Sequence, residues 1–252
     1  MNSKSRSERL LEALPKVLQH WETRRKREAG QLGPTGQSNR AFTIALSRES
    51  GARGTSTARE VGTRLGWMVY DHELLERIAK EMNLRTSLLQ SVDEKRVSWL
   101  QECVEACVEA FTSVPSVSGS AYIRHLTQTL FSLAAHGECV IVGRGAPQIL
   151  PVETTLRVRL VAPVEWRIVA MSQKLGISRE EAARQVERTD RDRVRFVMDH
   201  FQKEATDPHQ YDLVLNASRY SVGECADLIV EGLRRLQAHT PIESPTPLPT
   251  AS

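Results

Sequence analysis

Two stretches of this chain carry residue types whose spacing suits phosphate chemistry. The first is Arg188-Thr189-Asp190-Arg191-Asp192-Arg193-Val194-Arg195. On a helix, Arg188, Asp192 and Arg195 fall at i, i+4 and i+7 and share one face, with Arg191 beside it. Guanidinium forks bind phosphate oxygens two at a time, so this face could hold an anion. The same pattern also describes a solvated helix laced with i,i+4 ion pairs. The second stretch is Ser47 to Ser56, SRESGARGTS, which follows an apolar run and precedes a helical pattern. A strand, a Gly-containing turn and a helix N-terminus together present free backbone N–H groups to an anion without needing a particular side chain. A plain strand–turn–helix connection has the same outline.

The phosphate-loop pattern G-x-x-x-x-G-K-[ST] is not met. Gly51 supplies a central glycine, Gly54 stands in the lysine position and Thr55 is the hydroxyl residue after it. No lysine lies between Lys26 and Lys80, so no local shift restores one. Arg48 or Arg53 could supply the missing charge, although a forked guanidinium does not duplicate an ammonium.

The elements that must position these stretches are legible from apolar runs and punctuation. Ala41 to Leu46 reads as a buried strand and Thr57 to Leu65 as a helix. Trp67 to Tyr70 reads as a short strand leading to a helix that Asp71 could cap. Residues 84–135 are mostly helical in pattern, with a break near Ser113 to Gly119. Cys139 to Val142 and Leu156 to Val161 are further strands. Helices are expected over Val164–Leu175 and Ser178–Phe201, the latter opened by the capping box Ser178-Arg179-Glu180-Glu181. Leu213 to Leu215 is a last strand and Val222 to Leu236 a closing helix. Short apolar strands alternating with helices imply a parallel sheet covered on both faces.

Outside that region, residues 1–30 are polar with Leu10, Leu11, Leu14, Val17 and Leu18 at helical spacing, and residues 31–39 are a linker by composition. The tail from Pro241 is rich in Pro, Ser and Thr and reads as disordered. The expected organisation is therefore a polar helix and linker over 1–39, one domain over 40–240 and a tail over 241–252, with both flanking segments dispensable for folding.

The chain is 40% hydrophobic and 26% charged, the composition of a soluble globular protein. Its longest apolar runs are too short to cross a bilayer, and the first residues lack the apolar core of a signal peptide, so a cytoplasmic protein is expected. A net charge of +3 is too small to argue for a nucleic-acid partner. Arginine outnumbers lysine 27 to 7, which reflects either genome composition or phosphate recognition. The cysteines Cys103, Cys107, Cys139 and Cys225 match no zinc spacing and read as reduced, buried thiols. His72, His125, His136 and His200 read as ordinary helix or loop residues, and no Ser-His-Asp or Cys-His order suggests a hydrolase.

Five motifs in order, LSRESGARG, VYDHELL, VIVGRG, RTDRDR and YDLVLN, resemble those of cytidylate kinases and the broader cytidylate kinase-like family. The resemblance spans about Phe42 to Leu236. It implies an α/β, P-loop kinase-type three-layer fold with a central parallel sheet and an Arg-rich helical lid. It implies ATP and Mg²⁺, and a nucleoside monophosphate such as CMP or dCMP as acceptor. Gly51, Ala52, Arg53, Gly54, Thr55 and Ser56 would cradle the donor phosphates, with Thr55 or Ser56 near the metal. Asp71, Arg77, Arg124 and Arg144 would bind the acceptor, together with Arg188, Asp192 and Arg195. Arg53, Arg188, Arg191 and Arg195 would act on the transferring phosphoryl group. The family's G-R-D motif reads Gly143-Arg144-Gly145 here, so the aspartate that contacts cytosine is absent. Without the loop lysine, a nucleotide-binding sensor or regulator that does not turn over is the alternative, and a scaffold that kept only the fold is a third.

Overall fold

The computed structural model describes residues 15–19, 21–22, 42–90 and 117–239. Among the described residues, five strands form one sheet: β1 (Thr43–Arg48), β2 (Met68–Tyr70), β3 (Cys139–Val142), β4 (Thr155–Val161) and β5 (Leu213–Asn216). All are parallel, in the order β2-β3-β1-β4-β5. β1 lies centrally, with Thr43 aligned to Cys139 on one side and to Thr155 on the other. Parallel strands need covered crossovers, and the apolar runs of β1 and β3 fit burial on both faces.

Helices among the described residues include α1 (Gly54–Leu65), α2 (His72–Lys80), α3 (Met82–Gln90), α4 (Val117–His136), α5 (Ala146–Ile149), α6 (Val164–Leu175), α7 (Arg179–Phe201) and α8 (Val222–Ala238). One face of the sheet, with Ile44, Leu46, Val140, Val142, Leu156, Val158 and Leu160, packs on α1 and α8. The other, with Ala45, Tyr70, Cys139 and Ile141, packs on α2 and α4. The result is a three-layer α/β fold of P-loop kinase type. Local signals set the helix ends. Asp71 caps α2 by accepting from the Leu74 N–H at 3.1 Å. α6 follows Pro163 and stops at the left-handed Gly176. Ser178 caps α7 through the Glu181 N–H, and a full reciprocal capping box is present instead at α8, between Ser221 and Glu224.

Several boundaries differ from the sequence expectation in a way that matters for the site. β1 runs two residues further, so Arg48 is its last residue, and α1 begins at Gly54. The connection shrinks to Glu49–Arg53, and Thr55 and Ser56 stand on the first helical turn. α5, a single turn with Pro147 near its start, has no counterpart in the expectation. The expected break near Ser113 falls partly outside the described residues, as do Cys103 and Cys107. The largest difference concerns the first segment. Val17 and Trp21 are fully buried against Tyr70, Leu74 and Leu75, and the Trp21 indole N–H donates to the Tyr70 hydroxyl at 3.0 Å. That segment therefore contributes core side chains, contrary to its expected dispensability. Among the described residues no helix is long and apolar enough to cross a membrane.

Candidate functional site

β1, β3 and β4 all end on one edge of the sheet, which is where open α/β sheets bind ligands. A cavity of about 490 Å³ opens there. Its walls include Arg48 at the end of β1, His72 at the start of α2, Arg144 after β3, Arg159 on β4, and Asp190, Asp192, Arg193 and Phe196 on α7. Four arginines thus converge on one space.

The β1–α1 turn is held in place by its neighbours. Ser50 N–H donates to Asp190 Oδ1 at 2.6 Å, and Arg167 donates to the Ser50 carbonyl at 3.1 Å and to the Asp190 carboxylate. Glu49 accepts from the Ala162 N–H at 3.0 Å and lies 3.3 Å from Arg167. Arg193 donates to the Arg48 carbonyl at 3.0 Å. α6 and α7 therefore grip the turn through Arg167, Asp190 and Arg193.

The arginines differ in how they are compensated. Arg159 is buried and donates to the Ala205 carbonyl at 2.7 Å, so it also braces the segment after α7. Arg144 pairs with Glu76 and lies 5.0 Å over the Phe196 ring, yet its buried Nε has no hydrogen-bond partner among the described residues. Its backbone is left-handed, between Gly143 and Gly145, which are left-handed too. A non-glycine residue rarely adopts this conformation, and such strain gathers at binding turns. Arg48 has no carboxylate within ion-pair distance among the described residues. Burial, and then Arg193 and Arg144, lower its pKa from the ordinary arginine value to about 9, with Asp71 opposing the shift. His72 is held below the usual histidine range by burial, and then by Arg48 and Arg144. An anion would offset the positive charge that these arginines bring together.

The residues expected from the sequence fall into two sets. Arg144 and Asp192 line the cavity. Asp71 is beside it as the α2 cap. Arg188, Arg191 and Arg195 project from α7 with side chains 66–79% exposed, paired at 3.7–3.9 Å with Asp192, Glu187 and Asp199 of their own helix. Arg77 pairs with Glu81 one turn on, and Arg124 is exposed on α4. Arg53 is left-handed at the start of α1 and lies 4.7 Å over the Trp166 ring, outside the cavity lining. Asp190, Arg193, Arg159 and His72 also line the cavity, although the sequence motifs assign them no role there. A usable signal for α7 was present: Val186, Asp190, Arg193, Val197 and Phe201 share a stripe, and its apolar members mark the inward face.

Gly51 needs no phosphate to explain it. A Cβ there would stand 2.7 Å from the Arg167 carbonyl oxygen, and its φ is +84°. The N-terminus of α1 has no side-chain cap, which leaves its first N–H groups available to an anion. The Thr55 and Ser56 hydroxyls make no hydrogen bond among the described residues and stand on that same turn. They fit a Mg²⁺ that takes one or two protein oxygens and completes its shell with phosphate and water. Among the described residues no group of three His, Cys, Asp or Glu could hold a metal by itself.

Residues 43–219 match the model of the cytidylate kinase-like family. Among curated proteins, a cytidylate kinase from Methanopyrus kandleri is 29% identical over 105 residues, 38% of this chain and 54% of that protein. A uronate isomerase from Corynebacterium glutamicum is 28% identical over 118 residues, 47% of this chain but 23% of that protein. The chain thus spans about half and about a quarter of the lengths of these two relatives. An uncharacterized protein from Eubacterium ventriosum shares the fold with a TM-score of 0.62, at 17% identity, over 77% of this chain and 99% of its own.

Proposed function

Because the chain belongs to the cytidylate kinase-like family, we propose that it transfers the terminal phosphoryl group of ATP to a nucleoside monophosphate, with CMP or dCMP as the first acceptors to test. The observation that carries this reading is the cavity at the strand ends, where Arg48, Arg144 and Arg193 meet around space for an anion. Phosphoryl transfer asks little covalent chemistry of a protein. It needs two nucleotides held in line and positive charge where charge develops.

In this reading the uncapped turn of α1 holds donor phosphates through backbone N–H groups, with Thr55 or Ser56 at the metal. Mg²⁺, when bound, neutralises phosphate oxygens. Arg144, on a left-handed turn in the cavity lining, would bind the acceptor phosphate. Asp192, in the cavity lining, would accept from a sugar hydroxyl. Arg188, Arg191 and Arg195 would reach phosphates only through a movement of the α6–α7 hairpin, which would also exclude water. Arg77, Arg124 and Asp71 would act at the acceptor only after similar rearrangement. The soluble composition suits a cytoplasmic enzyme.

The test is direct. Purified protein is mixed with ATP, Mg²⁺ and each nucleoside monophosphate, and diphosphate products are measured. Equal formation of ADP and a second diphosphate with one or more acceptors is expected. ATP binding without any product would replace this reading with a non-catalytic nucleotide sensor, which the missing loop lysine favours. No nucleotide binding would remove both.

A further inference from the structure

Gly54 occupies the lysine position of the phosphate loop, but the space its side chain would use is not empty. A Cβ at Gly54 would lie 2.5 Å from Arg48 Cγ and 2.7 Å from Arg48 Cβ. A Cβ at Gly143 would lie 2.2 Å from Arg48 Nη1. The Arg48 stem therefore runs past the first residue of α1, and its guanidinium reaches the turn after β3. This places the head group on the cavity wall, between the helix N-terminus that suits donor phosphates and Arg144, which suits an acceptor. Of the arginines around the cavity, Arg144 has Glu76, Arg159 has the Ala205 carbonyl, and Arg193 has the Arg48 carbonyl with Asp190 at 4.0 Å. The Arg48 head group alone has neither a carboxylate nor a hydrogen-bond acceptor among the described residues. Two glycines make room for a charged side chain that Asp71 offsets only at a distance, without an ion pair among the described residues.

From this geometry we infer that Arg48, projecting from the end of β1, takes over the work of the missing lysine and contacts the phosphoryl group in flight. The inference rests on the kinase reading above. In the step it serves, a lone pair on an acceptor phosphate oxygen forms the new P–O bond to the terminal phosphorus of ATP. The bond from that phosphorus to the bridging oxygen breaks, and its electron pair leaves with ADP. The acceptor phosphate is already ionised at neutral pH, so no base is required. Arg48 stays protonated throughout and balances charge on the moving oxygens. Arg53 cannot share this work from its position over Trp166.

Two variants separate this role from packing. Arg48→Met keeps the stem and removes the charge. The pair Arg48→Ala with Gly54→Lys clears the space and restores a lysine to the loop. Transfer by Arg48→Met should fall by about 100-fold or more in kcat, with KM for ATP changing less than about threefold. The double variant should recover at least about tenfold over Arg48→Ala alone. Affinity gives a readout that does not need turnover. Because the head group meets the terminal phosphate, Arg48→Met should lose most of the preference for ATP over ADP measured by calorimetry, about tenfold or more at one contact. Retained kcat, or equal weakening of ATP and ADP, overturns the inference. Absence of recovery in the double variant overturns it only together with an unchanged ATP preference; with that preference lost, the assignment stands. If wild type binds ATP but phosphorylates no acceptor, the kinase reading falls, and the ATP-to-ADP comparison still decides whether Arg48 meets the terminal phosphate.

Discussion

Asp190 and Ser50 are 140 positions apart, and the Asp190 carboxylate accepts the Ser50 backbone N–H at 2.6 Å. The bond fastens the middle of α7 to the β1–α1 turn. Arg167 donates to the same carboxylate and to the Ser50 carbonyl, so one carboxylate and one guanidinium close the turn from both ends. Asp190→Ala should remove the anchor and leave the buried Arg167 with Glu49, at 3.3 Å, as its one carboxylate partner among the described residues. A loss of about 2–3 kcal/mol is expected, read as a fall of roughly 4–10 °C in thermal midpoint. Asp190→Asn should lose less, because its amide oxygen still accepts from Ser50. Equal midpoints for Asp190→Ala and wild type would show that the bond contributes nothing.

Removal of residues 1–39 should damage the fold. Trp21 is 2% exposed and its indole N–H reaches the Tyr70 hydroxyl. Trp21→Ala is expected to cost about 3–5 kcal/mol, and truncation at least as much. Chemical denaturation of the truncated and full-length chains measures this. Trp21→Phe should cost less, about 1–2 kcal/mol, since it keeps most of the volume and loses the hydrogen bond. An unchanged midpoint on truncation would contradict the packing.

Arg48 should make the free protein less stable than it could be. Its folded-state pKa of about 9 lies well below the ordinary arginine value, so the unfolded chain holds this proton more tightly. The contribution to stability rises with pH between those values, and below about pH 9 the penalty is constant. Arg48→Met should therefore raise the thermal midpoint at pH 7 by roughly 2–6 °C, or about 1–2 kcal/mol. With inorganic tripolyphosphate added, wild type should gain more than the variant and the gap should close. A lower midpoint for the variant without ligand would mean that the charge is compensated.

Gly145 should tolerate no side chain. Its φ is +74°, and an added Cβ would lie 2.3 Å from the ring of Phe201, which is fully buried. Gly145→Ala should cost at least about 2–3 kcal/mol, and Gly145→Asp more, because it would also bury a carboxylate against an aromatic ring. Thermal unfolding of both variants tests this. Normal stability of Gly145→Asp would imply that Phe201 can move aside, and that the wall can be rebuilt with a polar group.

The differing legibility of these regions has physical causes. β3 and α6 have the bounds read from the sequence because a short apolar run and the Pro163–Gly176 pair mark their ends. α5 was missed because four residues carry no periodicity. Within α7, the period of 3.6 grouped Arg188, Asp192 and Arg195 correctly onto one face, but charge spacing does not say which face turns inward. Val186, Val197 and Phe201 say that, and they select Asp190 and Arg193. The place of Arg48 depended on where β1 stops and on two glycines far apart in sequence, information that exists only once the strands are paired. Trp21 was hidden by its polar surroundings in the chain.

The α6–α7 hairpin has a small core of its own, formed by Ile168, Ala182 and Val186 and separate from the two cores that flank the sheet. A unit with a private core can open without melting the rest. Amide hydrogens in the first half of α7 should then exchange with solvent deuterium well ahead of those in β1 and β3. A ligand that joins Arg48 to the hairpin would slow exchange there and leave the sheet's rates untouched. The hairpin would thus record occupancy of the cavity as a local clock, read peptide by peptide.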